Sequence, residues 1–340
     1  MIGGWGLGIG EGIWDSGSED LHAGRADPNP QSPCNMLIRS LLFAPGNRPD
    51  LLDKLPRAGA DAVAVDLEDG TPEREKPAAR RGLARAVSGL RERGLQSLVF
   101  VRVNDAASPH ADADLQAALE TDIDGLVVPK LDAPSDLQRF GAALADAGRA
   151  PGRRPLVLVG LVETMAGVIG AGAIAAGDPH LCALAFGGED FIRDIGGRRT
   201  PEGREVLYAR SRVVLAARAA GLLALDQVVV EIRDDAQFRR DGVEGRNLGY
   251  TGKMCLLPRQ VALAHEIFTP TPEEIDWSRR LVEAYDAALA AGRGVIEFEG
   301  RMVDPPLLKR AQGVLDLAGR VASGDRGQTP PAKGERHEGG

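Results

Sequence analysis

Apolar residues in this chain come in short continuous runs, most of which stop abruptly on polar or charged residues. Two runs set the reading. Leu156 to Val162 reads Leu-Val-Leu-Val-Gly-Leu-Val and stops at Glu163, and Cys182-Ala-Leu-Ala-Phe186 runs into Gly187-Gly188-Glu189-Asp190. A run rich in Val and Leu, entered from Pro155 and closed by a polar stop, has the pattern of a strand buried on both faces. Between the two, Met165 to Ala176 supplies Ala, Ile and Gly enough for one short crossover helix. This β-α-β unit carries carboxylates at the carboxyl tips of neighbouring parallel strands, where α/β folds place their sites.

The same alternation recurs along the chain. Strands are predicted at Ser40–Ala44, Ala62–Asp66, Leu98–Val103, Gly125–Pro129, Leu156–Val162, Ala183–Phe186, Leu225–Val230 and Gly252–Leu257. Helices are predicted at Pro49–Ala58, Glu73–Arg93, Ala111–Glu120, Ser135–Ala147, Met165–Ala176, Glu202–Ala220, Asp234–Leu248 and Arg259–Ile267. Eight strands, each followed by a helix, predict an α/β protein with a closed (β/α)8 TIM barrel over residues 36–268. A doubly wound open sheet is the alternative, but no glycine fingerprint opens the first turn. A C-terminal appendage follows over residues 269–322, with a helix at Glu273–Ala291, a ribbon at Val295–Val303 and a helix at Pro305–Val321. Its size suits a flap or oligomerisation arm. Residues 1–35 and 323–340 are polar and rich in Gly and Pro, and are expected to be a disordered extension and tail.

Composition narrows the partners. With 41 basic and 49 acidic residues the net charge is −8, and no basic run points to nucleic acid. No apolar run approaches the roughly 20 residues that span a bilayer, so no membrane partner is expected. Cys34, Cys182 and Cys255 are far apart and read as reduced residues of a cytoplasmic protein. The five histidines show no ligand spacing, which argues against zinc.

The strand tips carry the chemistry. Strand two ends Asp66-Leu67-Glu68-Asp69, strand three Arg102-Val103-Asn104, strand four Pro129-Lys130, strand five Glu163, and strand six Glu189-Asp190. Two hard oxygen ligands from adjacent tips, completed by substrate oxygens and water, suit Mg²⁺. Arg102 can grip a carboxylate or carbonyl oxygen with its planar fork. A Lewis acid and a guanidinium facing one pocket would stabilise an enolate.

Five blocks in order, Arg39-Ser40-Leu41-Leu42-Phe43-Ala44-Pro45-Gly46-Asn47, Asp66-Leu67-Glu68-Asp69, Val101-Arg102-Val103-Asn104, Val162-Glu163-Thr164 and Phe186-Gly187-Gly188-Glu189-Asp190-Phe191, resemble signatures of one family. It is the citrate lyase β-subunit-like family, within the HpcH/HpaI aldolases and CoA-thioester lyases such as malyl-CoA and citramalyl-CoA lyase. The similarity runs from about Arg39 to Leu317. It implies Mg²⁺ dependence, a homotrimer or hexamer, and reversible Claisen-type cleavage of a 3-hydroxyacyl thioester into an acyl-CoA and an α-keto acid.

Carried over by motif, Glu163 and Asp190 are the metal ligands and Arg102 the substrate and enolate contact. Arg39 and Lys76 are candidate CoA contacts, and Glu68 and Asp69 are candidate bases for the substrate hydroxyl. Gly300-Arg301-Met302-Val303-Asp304-Pro305 resembles the block whose acid reaches a neighbouring subunit's site in the CoA lyases, so Asp304 would move the proton at the acyl carbon. The resemblance departs at Leu257-Pro258, where the family commonly has His-Pro, and at Gly70 and Gly188, where alanine is common. Alternatives are a citrate lyase β subunit acting on an acyl carrier protein thioester, a metal aldolase on free hydroxy-keto acids, and a catalytically weakened homologue that binds acyl-CoA.

Overall fold

Eight strands form a closed parallel barrel, as the recurring runs predict. They are β1 (Ser40–Pro45), β2 (Ala62–Asp66), β3 (Leu98–Arg102), β4 (Gly125–Val128), β5 (Val157–Val162), β6 (Leu181–Phe186), β7 (Leu223–Asp226) and β8 (Gly252–Cys255). Each pairs with the next in sequence, and β1 closes the ring on β8 through Ser40–Lys253 and Leu42–Cys255. The computed structural model describes residues 36–148 and 154–324. The expectations for the extension at 1–35 and the tail from residue 325, and for Cys34, His22 and His337, lie outside the described residues.

Side chains alternate across the barrel wall with the two-residue period of a strand. Leu41, Ala62, Ala64, Phe100, Val127, Val159 and Met254 fill the lumen. Leu42, Val63, Val65, Val99, Val101 and Leu184 point outward and pack under the helices, against residues such as Leu83, Val87 and Leu90. Most strand positions on both faces are therefore apolar, which is why the sequence shows runs rather than alternation.

Around the barrel lie α1 (Pro49–Leu52), α2 (Lys76–Glu92), α3 (Ala111–Leu119), α4 (Ser135–Ala147), α5 (Met165–Ala175), α6 (Gly188–Asp194), α7 (Leu207–Ala219), α8 (Asp235–Leu248) and α9 (Pro258–Phe268). Three differences from the sequence expectation stand out. The first helix breaks after Leu52 and resumes as a 3₁₀ turn at Leu55–Ala58, where Pro56 cannot continue an α-helical ladder. β7 begins and ends earlier than predicted, because its last residue, Asp226, is an acid buried by pairing rather than an apolar residue. The short α6 was not foreseen, since Gly187-Gly188 looks like a turn.

The appendage comprises α10 (Pro272–Ala290), the hairpin β9 (Ile296–Phe298) and β10 (Arg301–Val303), and α11 (Pro305–Ala322). It has its own small core of Leu281, Tyr285, Val303 and Ala311. Arg246 of α8 ties it to the barrel through Glu274 at 2.8 Å. No helix among the described residues is long and apolar enough to cross a membrane.

Behind β7 and β8 sits a network of charges in which Arg210, Asp226 and Lys253 are fully buried. Arg210 of α7 makes a bidentate pair with Asp226, Nε to Oδ1 at 2.8 Å and Nη2 to Oδ2 at 2.6 Å. Lys253 donates to the same carboxylate at 3.1 Å and to the Gln227 carbonyl at 2.7 Å. Asp241 of α8 is held by Lys253, and burial alone would raise its carboxyl, but Lys253 and Arg210 outweigh this and hold it low. Removing one member of such a pair leaves a charge without its counter-ion. Arg210→Met is expected to cost about 3 kcal/mol of stability, read as a lower urea midpoint at unchanged slope. A loss below about 0.5 kcal/mol, the range of ordinary surface substitutions, would show that the network does not hold these helices to the sheet.

Candidate active site

The carboxyl ends of β2 to β6 bring most of the sequence-selected residues together. The organiser is Asp66, the last residue of β2. Its Oδ1 accepts the backbone N–H of Glu68 at 2.9 Å and its Oδ2 that of Gly70 at 2.9 Å, so the turn after β2 is folded around one carboxylate. Arg102, ending β3, lies across the register from it and donates Nε and Nη2 to the two oxygens at 2.7 and 2.6 Å. The third edge of the guanidinium, Nη1, faces Glu68 Oε2 at 3.2 Å, and the plane stacks 5.1 Å from the Phe43 ring centroid. Burial opposes the charge on Arg102, but Asp66, Glu68 and Glu163 more than offset this, so it stays a cation.

Lys130 follows β4 with φ of 53°, in the left-handed region. That turn does two things. It points the backbone N–H at Glu163 Oε1, 3.0 Å away, and sends the ammonium back to Glu68, with Asp69 at 3.4 Å. Glu68 is nonetheless raised above its ordinary value, because burial outweighs Arg102 and Lys130. Asp69 goes the other way: burial would raise it, but Lys130 and Arg102 pull it lower.

Glu163, directly after β5, is 2% exposed. Its carboxyl is pushed up to about 8, first by burial and then by the charge of Asp190, against a weaker pull from Arg102. The cations around it are engaged by other acids, Arg102 by Asp66 and Lys130 by Glu68. Asp190 sits in the first turn of α6, partly exposed, with Arg193 one turn on at 2.6 Å. Two neighbouring carboxylates, one buried and short of positive charge, could together hold a hard divalent cation. Among the described residues no set of three or more His, Cys, Asp or Glu forms a closed cage. The pair would therefore leave coordination positions to substrate and water, the usual arrangement for Mg²⁺.

Three sequence-selected residues are elsewhere. Arg39 precedes β1 and so lies at the amino end of the barrel, where it makes a bidentate pair with buried Asp61 and donates to Thr269. Its guanidinium, expected as a CoA contact, is spent here on clamping the barrel floor. Lys76 is 7% exposed, with its ammonium given to the Leu67 and Glu68 carbonyls and to Asn104. Its ammonium, expected as a CoA contact, supports the β2 turn here. Asp304 lies in the appendage, where it caps α11 by accepting the Leu307 N–H at 3.2 Å. Lys130 and Asp66 belong to the site and were not selected from sequence, although both stand at strand tips.

A (β/α)8 barrel with acids and a guanidinium gathered at its carboxyl end defines an enzyme for oxygen-rich substrates. Residues 39–258 match the HpcH/HpaI aldolase/citrate lyase family. The chain is 46% identical to the citrate lyase subunit beta-like protein of Deinococcus radiodurans, over 82% of this chain and 96% of that one. It is 35% identical to mitochondrial citramalyl-CoA lyase of Rattus norvegicus, over 82% and 86%. Among solved structures it is similar to the protein CitE of Mycobacterium tuberculosis in complex with magnesium, acetoacetate and coenzyme A. That similarity has a TM-score of 0.68 and 31% identity, covering 83% of this chain and 98% of that one. The chain belongs to the HpcH/HpaI aldolase/citrate lyase family, and it is a carbon–carbon lyase.

Proposed function

We propose that this protein is an Mg²⁺-dependent lyase that cleaves or forms a short 3-hydroxyacyl-CoA, of the malyl-CoA or citramalyl-CoA kind, releasing acyl-CoA and an α-keto acid. The observation that carries the reading is the buried, cation-starved Glu163 beside Asp190, with Arg102 on the same barrel face. When bound, Mg²⁺ would act as a Lewis acid that lowers the pKa of the substrate hydroxyl. Glu163 and Asp190 would hold it and so fix the acid portion of the substrate. Arg102, its Nε and Nη2 locked on Asp66, would offer the Nη1 N–H that does not face Glu68 to the thioester oxygen where enolate charge develops. Asp69, far more open than Glu68, is the better candidate to take the hydroxyl proton; Glu68 is tied to Lys130 and Arg102.

Asp304, on an arm with its own core, would protonate the departing carbon in the site of a neighbouring copy, which makes the working form a homo-oligomer. Chains carrying Asp304→Ala and Arg102→Ala, each inactive alone, are then expected to regain about a quarter of the native rate when mixed in equal amounts and reassembled as trimers or hexamers, because about one site in four pairs an intact Arg102 with an intact neighbouring Asp304. A mixture no more active than its parents would place the acid elsewhere.

The direct test incubates the protein with Mg²⁺ and racemic malyl-CoA or citramalyl-CoA, and traps glyoxylate or pyruvate. Release that stops with EDTA and returns with Mg²⁺ is the expected result; no keto acid from either thioester sinks the reading. A second reading, an acyl carrier protein thioester as substrate, gains support from Arg39 and Lys76, whose charges are spent inside the fold. Cleavage of the carrier-bound thioester alone would select it.

A further inference from the structure

Gln227 has no place in the chemistry above, yet it is fully buried directly behind the β7 tip. Its Nε2 donates to Asp241 Oδ1 at 3.0 Å. Among the described residues its Oε1 is buried without a hydrogen-bond partner, an arrangement that costs on the order of 1–3 kcal/mol. The amide cannot be turned over to relieve this, because Oε1 would then face the Asp241 carboxylate. Asp241 is in turn held by Lys253 and Arg210, so the buried charge network fixes where that oxygen points.

It points at the start of α6. A Cβ on Gly188 would stand 2.1 Å from Gln227 Oε1, and a Cβ on Gly187 would stand 2.3 Å from Glu163 Oε2. The backbone of these two glycines therefore rests directly on two side chains, one from the end of β5 and one from beyond the end of β7. Only residues without a Cβ permit so close an approach. Asp190 follows Gly188 by two positions, within the same first turn.

We propose that Gln227 is a positioning residue: it props the Gly187–Gly188 step from beneath and so sets the height of Asp190 relative to Glu163. The inference rests on the reading of those two acids as the cation pair. It also gives the buried network behind β7 and β8 a task, since Asp241 aims the carboxamide and Lys253 and Arg210 aim Asp241. Groups that orient metal ligands without touching the metal typically change affinity by about 10–100-fold when altered.

The test measures Mn²⁺ binding by loss of the free-ion electron paramagnetic resonance signal, and Mg²⁺ binding by calorimetry, on the full chain without substrate. Gly188→Ala and Gln227→Ala are each expected to weaken binding about tenfold. The double variant is expected to return to within about threefold of native, because the added methyl takes the space the carboxamide leaves. Native affinity in both single variants overturns the prop, as does a double variant in which the two losses simply multiply. Melting temperatures in EDTA accompany each variant, and a lowered melting temperature with unchanged affinity counts as a merely structural role. Gly188→Ala carries the test if Gln227→Ala does not fold. Glu163→Gln separates the two levels. If it binds Mn²⁺ as tightly as native protein, the cation reading falls and the prop with it; if it alone loses binding, only the prop falls.

Discussion

Glu163→Gln is expected to lower kcat for keto-acid release at least a thousandfold, a barrier increase of about 4 kcal/mol, while leaving the barrel folded. Glutamine matches the shape of glutamate and can still accept the Lys130 N–H through its carbonyl oxygen, but it removes the anionic donor from the cation pair. Stopped assays at saturating Mg²⁺ measure the loss; activity within tenfold of native would contradict the role assigned to this acid.

The same change has an opposite effect on stability without metal. In the folded state the Glu163 carboxyl is raised to about 8 from an ordinary 4.5, first by burial and then by Asp190. A group raised on folding contributes its full stability below the unfolded pKa and loses it as pH climbs through the folded value. Native protein in EDTA should therefore lose stability between about pH 5 and pH 9. Glu163→Gln should lose less over that window and melt higher than native at pH 9. Parallel melting curves for the two proteins across the window would show that the carboxyl does not ionise at a cost.

Arg102→Lys is expected to lower kcat by about a hundredfold to a thousandfold, with a smaller change in KM. Charge is kept, so the loss measures the fork. Lysine cannot give two parallel hydrogen bonds to Asp66 and still present a third donor toward the substrate. Asp66 also receives the Glu68 and Gly70 N–H groups, so freeing it would loosen the turn carrying both candidate bases. Steady-state kinetics paired with a melting curve separate these effects. A lysine variant at near-native kcat would mean that charge alone suffices, and that Arg102 does not direct a particular oxygen.

The barrel was legible because its cause is local. Strands buried on both sides need continuous apolar runs, and eight such runs with helical spacers between them leave few other ways to close a sheet. Glu163 and Asp190 were legible for the same reason, since a strand tip is where an apolar run ends and a charge follows. The family blocks pointed to the family, and the match over residues 39–258 agrees with them.

Charge partners are decided through space, and there the sequence was silent or misleading. Arg39 looked available, but Asp61, 22 residues on, sits beside it at the barrel floor and claims two of its three guanidinium nitrogens. Lys76 looked like a solvent-facing cation, until the turn after β2 and Asn104 closed around its ammonium. Arg102 does stand at the carboxyl end of the barrel, yet two of its three guanidinium nitrogens belong to Asp66, 36 residues earlier. The same holds for Lys130, whose positive φ no composition reveals, and for Gln227, whose oxygen meets Gly188 across 39 residues of chain. By itself the sequence determined the barrel and the tips on which acids stand, because hydrophobic periodicity is written residue by residue. Only the folded chain decided which charges are spent on one another and which remain for a ligand, because a Coulomb partner is chosen by distance after the strands have closed, and that distance has no local signature.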